Sequence, residues 1–106
     1  MGSGPSKEPE GFKDMKFDQT KQFDATIEYC GGWGYGKYEQ YAKGLIKASY
    51  PNATVNSVRI PGNSGKLEII VNGKFAHTKK GGDGYLTEEN SLKMLQKLQQ
   101  IVEGTK

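Results

Sequence analysis

Residues 24–36 read DATIEYCGGWGYG, and along this stretch a strand pattern passes through a glycine-rich turn into a helix. Up to Tyr29, apolar and polar residues alternate with the period of two that is typical of a β-strand. Four glycines between residues 31 and 36 then mark a tight turn. From Tyr35 to Ser49 apolar residues recur at helical spacing, ahead of Pro51, and predict a helix.

The rest of the chain supplies three more strands and a second helix. Residues 53–60 are rich in Val, Thr and Ile, and a helix between two strands normally returns the chain to a parallel partner. Asn72-Gly73 separates the apolar runs 67–71 and 74–78, which predicts a β-hairpin. The second helix is expected to begin after Thr87, as its N-cap, and to end at Gly104.

The predicted order is therefore β-α-β-β-β-α. It defines an α/β fold in which a mixed four-stranded sheet packs against two helices, the core arrangement of the thioredoxin-like fold. We expect one domain over residues 23–106. Residues 1–22, with their glycines, prolines and alternating charges, predict a flexible N-terminal tail.

Composition narrows the function classes. The 106 residues are 34% hydrophobic and 25% charged, with a net charge of +3 and one cysteine. No run is apolar enough for a membrane span or a secretory signal, so we expect a soluble, cytoplasmic protein. The nearly balanced charge does not indicate a nucleic-acid partner. A single cysteine excludes an internal disulfide and a cysteine-rich zinc site.

Cys30 is the candidate reactive group, because it stands where the first strand meets the turn. Reactive groups gather beyond the carboxyl ends of parallel strands. The N–H groups at the start of the next helix favour a thiolate, which would lower the pKa of Cys30 below about 8.5. The alternative is a buried structural cysteine, since free cysteine is among the most buried residue types.

Two further residues need an interpretation. Trp33 lies where a CxxC motif would place its second thiol, and tryptophan can neither attack nor resolve a disulfide. His77 is interpreted as a solvated strand residue, because no second histidine or cysteine stands at ligand spacing. We therefore expect no metal site.

Three segments of the chain resemble the selenoprotein W family. Residues 29–38, YCGGWGYGKY, resemble its turn Tyr-Cys-Gly-x-selenocysteine-Gly-Tyr with a nearby Lys-Tyr. Residues 65–74, GKLEIIVNGK, resemble its Gly-x-Phe-Glu-Val strand and Gly-Lys hairpin. Residues 77–85, HTKKGGDGY, are similar to its His-Ser-Lys-Lys-x-Gly-Asp-Gly-Tyr loop. The resemblance runs from about residue 25 to residue 102, in order and at consistent spacing.

This resemblance implies a thioredoxin-like fold and a glutathione-linked role, either antioxidant or in thiol–disulfide exchange. Selenocysteine is the family's nucleophile, and the preceding cysteine resolves the bond. Carried over by position, Cys30 takes the resolving role and Trp33 falls on the selenocysteine of the CxxU-type motif. The rest of the active-site loop is then Gly31, Gly32, Gly34 and Tyr35.

The resemblance also implies partners and raises a question about position 33. It implies no tightly bound cofactor, glutathione as redox partner, redox-regulated protein partners such as the 14-3-3 class, and a monomer. Selenocysteine is encoded by UGA, one base from the tryptophan codon UGG, so Trp33 could stand where the native gene encodes selenocysteine. If Trp33 is native, the chain is inactive or monothiol in redox chemistry, or a non-catalytic module that binds a partner through its 30–33 loop.

Overall fold

The computed structural model describes residues 8–31, 34–62 and 64–104. Six regular elements follow one another: β1 (Asp24–Cys30), α1 (Gly36–Ser49), β2 (Thr54–Ile60), β3 (Leu67–Val71), β4 (Lys74–Thr78) and α2 (Ser91–Glu103). Short helical turns lie before β1, at Phe12–Asp14, and after β4, at Lys79–Asp83. The predicted order of strands and helices is confirmed.

The four strands form one mixed sheet in the order β2-β1-β3-β4. β1 runs parallel to β2 on one side and antiparallel to β3 on the other. The β3–β4 hairpin turns at Asn72 and Gly73, whose φ values of 54° and 75° are both positive, as a type I′ turn requires. The α/β, thioredoxin-like fold class is thus confirmed.

The core lies between this sheet and the two helices. Ala25 and Ile27 of β1 are fully buried, two residues apart as the alternation predicts. They share one hydrophobic cluster with Ile46 of α1 and Leu95 of α2. The helices also contact each other, since Tyr41 Oη and Ser91 Oγ lie 3.1 Å apart. In the part of the chain that the structure describes, no helix has the length and apolar character needed to cross a bilayer.

Helix α2 begins later than predicted. Its first residue is Ser91, and the expected N-cap, Thr87, lies four residues earlier. Thr87 and Asn90 instead form a reciprocal pair, in which Thr87 N donates to Asn90 Oδ1 at 2.8 Å and Asn90 N donates to Thr87 Oγ1 at 3.2 Å. These bonds satisfy the backbone locally and hold a turn ahead of the helix. The predicted end is confirmed, because Gly104 adopts a left-handed φ of 68°.

Part of the predicted N-terminal tail, residues 8–22, lies against the core. Three large side chains of this segment pack against the core: Phe12, Met15 and Phe17. The backbone is also tied to α2, since Gln99 Nε2 donates to Lys16 O at 2.7 Å and Asp18 N donates to Glu103 Oε2 at 2.9 Å. Apolar side chains spaced along a polar segment are enough to dock it where the core offers a partner. Residues 1–7 of the predicted tail lie outside the described residues.

Candidate functional site

Cys30 is the last residue of β1 and lies at the carboxyl end of the parallel strand pair. Its N–H donates to Lys66 O at 2.7 Å, and the next N–H, of Gly31, donates to Ile60 O at 2.7 Å. Backbone bonds to both neighbouring segments therefore fix the chain on each side of the sulfur. The strand pairing places Cys30 at the position that the sequence predicts, ahead of the turn into α1.

The Cys30 side chain is buried, with 1% of its surface exposed. Its Sγ donates a hydrogen bond to the Gly62 carbonyl at 3.4 Å, in the loop that follows β2. A hydrogen bond from the thiol to a carbonyl stabilises the protonated sulfur. In this conformation the thiol faces the loop that carries Gly62 and is buried from solvent.

The glycines of the turn have different physical roles. A Cβ on Gly31 would lie 2.9 Å from both Ile60 O and Arg59 Nε, so this position requires a residue without a side chain. Gly34 instead has a φ of 72°, which side-chain-bearing residues rarely adopt. Gly32 and Trp33 lie outside the described residues.

A cluster of three tyrosines lies beside the turn. The ring centroids of Tyr35 are 5.6 Å from those of both Tyr38 and Tyr85, and Tyr38 and Tyr85 stack at 5.3 Å. Burial, together with a hydrogen bond to Tyr85, raises the pKa of Tyr35 to about 12. Tyr85 itself is 46% exposed. The tyrosine cluster therefore extends from Tyr35, which is buried in the predicted active-site loop, to Tyr85 at the surface.

Sequence reasoning did not find this tyrosine cluster. Residues 29–38 and 77–85 were recognised as separate motifs, and nothing in either shows that their tyrosines meet. The two motifs share one local feature, a tyrosine just after a glycine, at Tyr35 and Tyr85, and this feature does not by itself predict a contact between the rings. Only the packing of the 79–85 loop against the start of α1 brings the two together.

Cations surround the same region. Lys79 Nζ lies 5.0 Å from the Tyr85 ring centroid, and Lys37 Nζ lies 5.2 Å from that of Tyr38. Arg59 Nη2 donates to the Gly31 carbonyl at 3.0 Å. Three cationic side chains therefore lie beside the turn and the tyrosine cluster.

His77 is buried rather than solvated, so that prediction was wrong. Only 2% of its surface is exposed, because β4 pairs His77 with the fully buried Ile69. Its Nε2 lies 2.8 Å from the Gly84 carbonyl and must carry the proton that this bond needs. Burial lowers the pKa of His77. The ring lines a small cavity of about 110 Å³, together with Asp83 and Lys97.

Acidic, histidine and cysteine side chains are scattered over residues 8–31, 34–62 and 64–104. Nowhere in these ranges do three His, Cys, Asp or Glu side chains come together as a metal would need.

Most of the chain is similar to known proteins. Residues 24–102 match the Rdx family. A selenoprotein W from Danio rerio is 35% identical over 70 residues, which cover 65% of this chain and 81% of that protein. A selenoprotein W from Sus scrofa is 39% identical over 71 residues, covering 65% and 82%.

A longer protein shows the same likeness. Selenoprotein V from Homo sapiens is 30% identical over 80 residues, which cover 74% of this chain and 23% of that protein. The matched region extends from the start of β1 almost to the end of α2 and so includes Cys30 and the tyrosine cluster. This chain belongs to the Rdx family of selenoprotein W-like proteins, and its function is of the thiol redox type.

Proposed function

We propose that this protein is a glutathione-linked thiol redox protein in which Cys30 is the redox-active sulfur. The observation that carries the proposal is the position of Cys30, at the carboxyl end of β1 and ahead of the turn into α1. In sheets of this kind, reactive groups act at that edge. The single cysteine of the chain stands there, beside a cluster of tyrosines and cations.

The chemistry available to one thiol is exchange with a disulfide. The Cys30 thiol loses its proton, and the thiolate attacks one sulfur of oxidised glutathione. A new S–S bond joins Cys30 to one glutathione while the old S–S bond breaks. The departing glutathione thiolate takes up a proton, so the exchange needs no further oxidant. A second thiol reverses it by the same steps.

The proposal includes the identity of position 33. We propose that Trp33 stands where the native gene encodes selenocysteine, because its neighbours from Tyr29 to Tyr35 keep the motif of the family. With selenocysteine there, the selenolate would attack and Cys30 would resolve. With tryptophan, Cys30 acts alone. A selenium assay on protein from its native source tests this, and the absence of selenium would count against it.

The experiment that tests the redox role is an intact mass measurement. The protein is weighed before and after incubation with oxidised glutathione, and again after addition of a reductant. We expect one glutathione adduct that the reductant removes and that the Cys30→Ser variant does not form. No adduct on a protein whose Cys30 is still reduced would overturn the proposal. The starting mass also identifies the residue at position 33.

A second candidate function is binding without catalysis. It is favoured by two observations: Cys30 is buried, with 1% of its surface exposed, whereas Tyr85 of the tyrosine cluster is 46% exposed. Exposed aromatic side chains are common anchors of protein interfaces. On this view the 30–33 loop and the tyrosine cluster contact a partner protein, and the sulfur is structural. Failure of the adduct experiment would favour this function.

The remaining features of the proposal concern the setting in which the protein works. We propose a cytoplasmic monomer with redox-regulated protein partners, the 14-3-3 class among them. The composition supports this setting, since the chain is strongly hydrophilic and nearly balanced in charge. Sedimentation of the purified protein would test the monomeric state, and localisation of a tagged chain would test the cytoplasmic location.

A further inference from the structure

A small polar cavity, here called the His77 cavity, lies between β4, the turn that follows it and the start of α2. Its volume is about 110 Å³. Two of its lining residues, Gly82 and Lys93, are exposed, so the cavity opens to solvent. A polar cavity of this size has room for several waters or for one small polar ligand. The redox chemistry proposed for Cys30 makes no use of it.

The His77 ring presents a bare nitrogen to this cavity. Its Nε2 donates to Gly84 O at 2.8 Å, so the neutral ring has its lone pair on Nδ1. Over residues 8–31, 34–62 and 64–104, Nδ1 has no hydrogen-bond partner. Every side-chain nitrogen or oxygen that is buried from solvent in these ranges has a partner, so Nδ1 must meet open space. Because only 2% of His77 is exposed, that space is the cavity that the ring lines.

Two lysines of α2, one turn apart, line the same cavity. Lys97 Nζ lies 3.5 Å from Asp83 Oδ2, whereas Lys93 has no carboxylate within 4 Å in the described part of the chain. Burial lowers the pKa of His77, and the charges of Lys97 and Lys93 lower it further, so both cations are near the ring. Lys93 also belongs to the first turn of α2, and the N-terminus of a helix favours negative charge.

Asp83 is the second acceptor of the cavity. Its Oδ2 accepts from Thr78 N at 2.9 Å, and this bond lowers the pKa of Asp83, so the carboxylate is charged at neutral pH. Two lysines and one carboxylate leave the lining with a single positive charge while His77 is neutral. The cavity therefore combines a net positive charge with two hydrogen-bond acceptors.

We propose that the His77 cavity binds a phosphate group that still carries a proton, with Lys93 and Lys97 holding its charged oxygens and His77 Nδ1 accepting from its P–O–H. Such a group, on a monoester or as the free dihydrogen ion, bears one negative charge, which matches the lining. The acceptors select the protonated form. A fully ionised oxyanion such as sulfate would set its oxygens against the lone pair of Nδ1 and the carboxylate of Asp83.

The test is an NMR titration of the full chain, read at the ring nitrogens of His77, the single histidine. Inorganic phosphate, methyl phosphate and sulfate are added separately at pH 6.5 and constant ionic strength. Sulfate is the matched control, because it has the shape of phosphate without the proton. The pKa of His77 lies below 6.5, so its ring is mostly neutral in the ligand-free protein under these conditions.

We expect phosphate to shift the Nδ1 signal saturably and sulfate to bind at least about tenfold more weakly, the size of one hydrogen bond to a charged group. Binding of methyl phosphate as well would assign the site to a phosphate monoester, and its exclusion would assign the site to the free ion. Equal binding of sulfate and phosphate, or no saturable shift with either phosphate, would overturn the proposal.

Substitutions then test the two cations. Lys93→Gln should weaken phosphate binding about threefold to fivefold, as expected for a partly exposed ion pair. Lys97→Gln should weaken it at least as much, because it also leaves Asp83 without its cation. The control is Lys80→Gln, an exposed lysine of the preceding turn that does not line the cavity. It should bind phosphate like the unmodified protein. Unchanged binding in both test variants, or an equal loss in the control, would overturn the proposal.

Discussion

The hydroxyl of Tyr50 donates a hydrogen bond to Glu103 Oε2 at 2.6 Å and so joins the end of α1 to the end of α2. Tyr50 is fully buried, and this burial, together with its bond to Glu103, raises the pKa of its hydroxyl above the ordinary range. The same carboxylate oxygen accepts from Asp18 N at 2.9 Å. One side chain of α2 therefore holds both the other helix and the segment that precedes β1.

The Tyr50→Phe variant should lower the free energy of unfolding by about 1–2 kcal/mol, because it removes a hydrogen bond to a charged group. Urea unfolding at neutral pH measures the change. The control is Tyr38→Phe, which keeps the ring contacts of Tyr38 with Tyr35 and Tyr85. Equal changes in the two variants would show that the bond to Glu103 contributes nothing of its own.

The segment before β1 should contribute to stability through Phe17, whose ring meets that of Tyr50 edge-on at 5.2 Å. Phe17→Ala should cost about 1–2 kcal/mol, since the side chain is only partly buried. Phe75→Ala is the matched control, because that ring is 49% exposed, and it should cost less. Thermal unfolding of both variants measures the difference. If Phe17→Ala left the thermal unfolding unchanged, the contact of this segment with the core would not stabilise the fold.

Gly31→Ala should destabilise the protein by about 1–3 kcal/mol, as overpacking against a rigid neighbour does. The new methyl group would meet the Ile60 carbonyl, which is backbone and cannot turn aside. Gly44→Ala is the control, because it lies in α1 with open space around it. That change should stabilise the helix by about 0.5–1 kcal/mol. Unfolding curves that rank the two variants in the opposite order would contradict the close approach at Gly31.

His77 should make stability fall as the solution becomes mildly acidic. Burial lowers its pKa below the usual 6.5, so the unfolded chain takes up the proton first. The contribution of His77 to the free energy of unfolding is complete above pH 6.5, and it declines as the pH falls towards the lower pKa of the folded state. The chain has one histidine, which makes the effect assignable.

The measurement is urea unfolding from pH 7.5 to 5.5, for the unmodified protein and His77→Gln. The free energy of unfolding should fall less for His77→Gln than for the unmodified protein between pH 7.5 and 5.5, because glutamine does not titrate. The charged groups that face the ring, Asp83, Lys93 and Lys97, are unchanged in it. Parallel curves for the two proteins would rule out His77 as the source.

Much of the fold could be predicted from local patterns. The alternation before Cys30, the Asn72-Gly73 turn and Gly104 each act over a few residues, and each was placed correctly. The start of α2 was misplaced because Thr87 and Asn90 compete for the same backbone groups that a helix would use. His77 was misjudged because its burial depends on the strand that pairs with it.

The candidate site divides in the same way. The position of Cys30 and the glycine turn follows from the order of residues along the chain, because strand, turn and helix signals are local. The side chains that contact this turn cannot be read from the order of residues. Arg59 meets Gly31 from 28 residues away, and Tyr50 meets Glu103 from 53 residues away. Such contacts depend on how strands and helices pack. Because packing is decided by the whole chain at once, no local pattern predicts them.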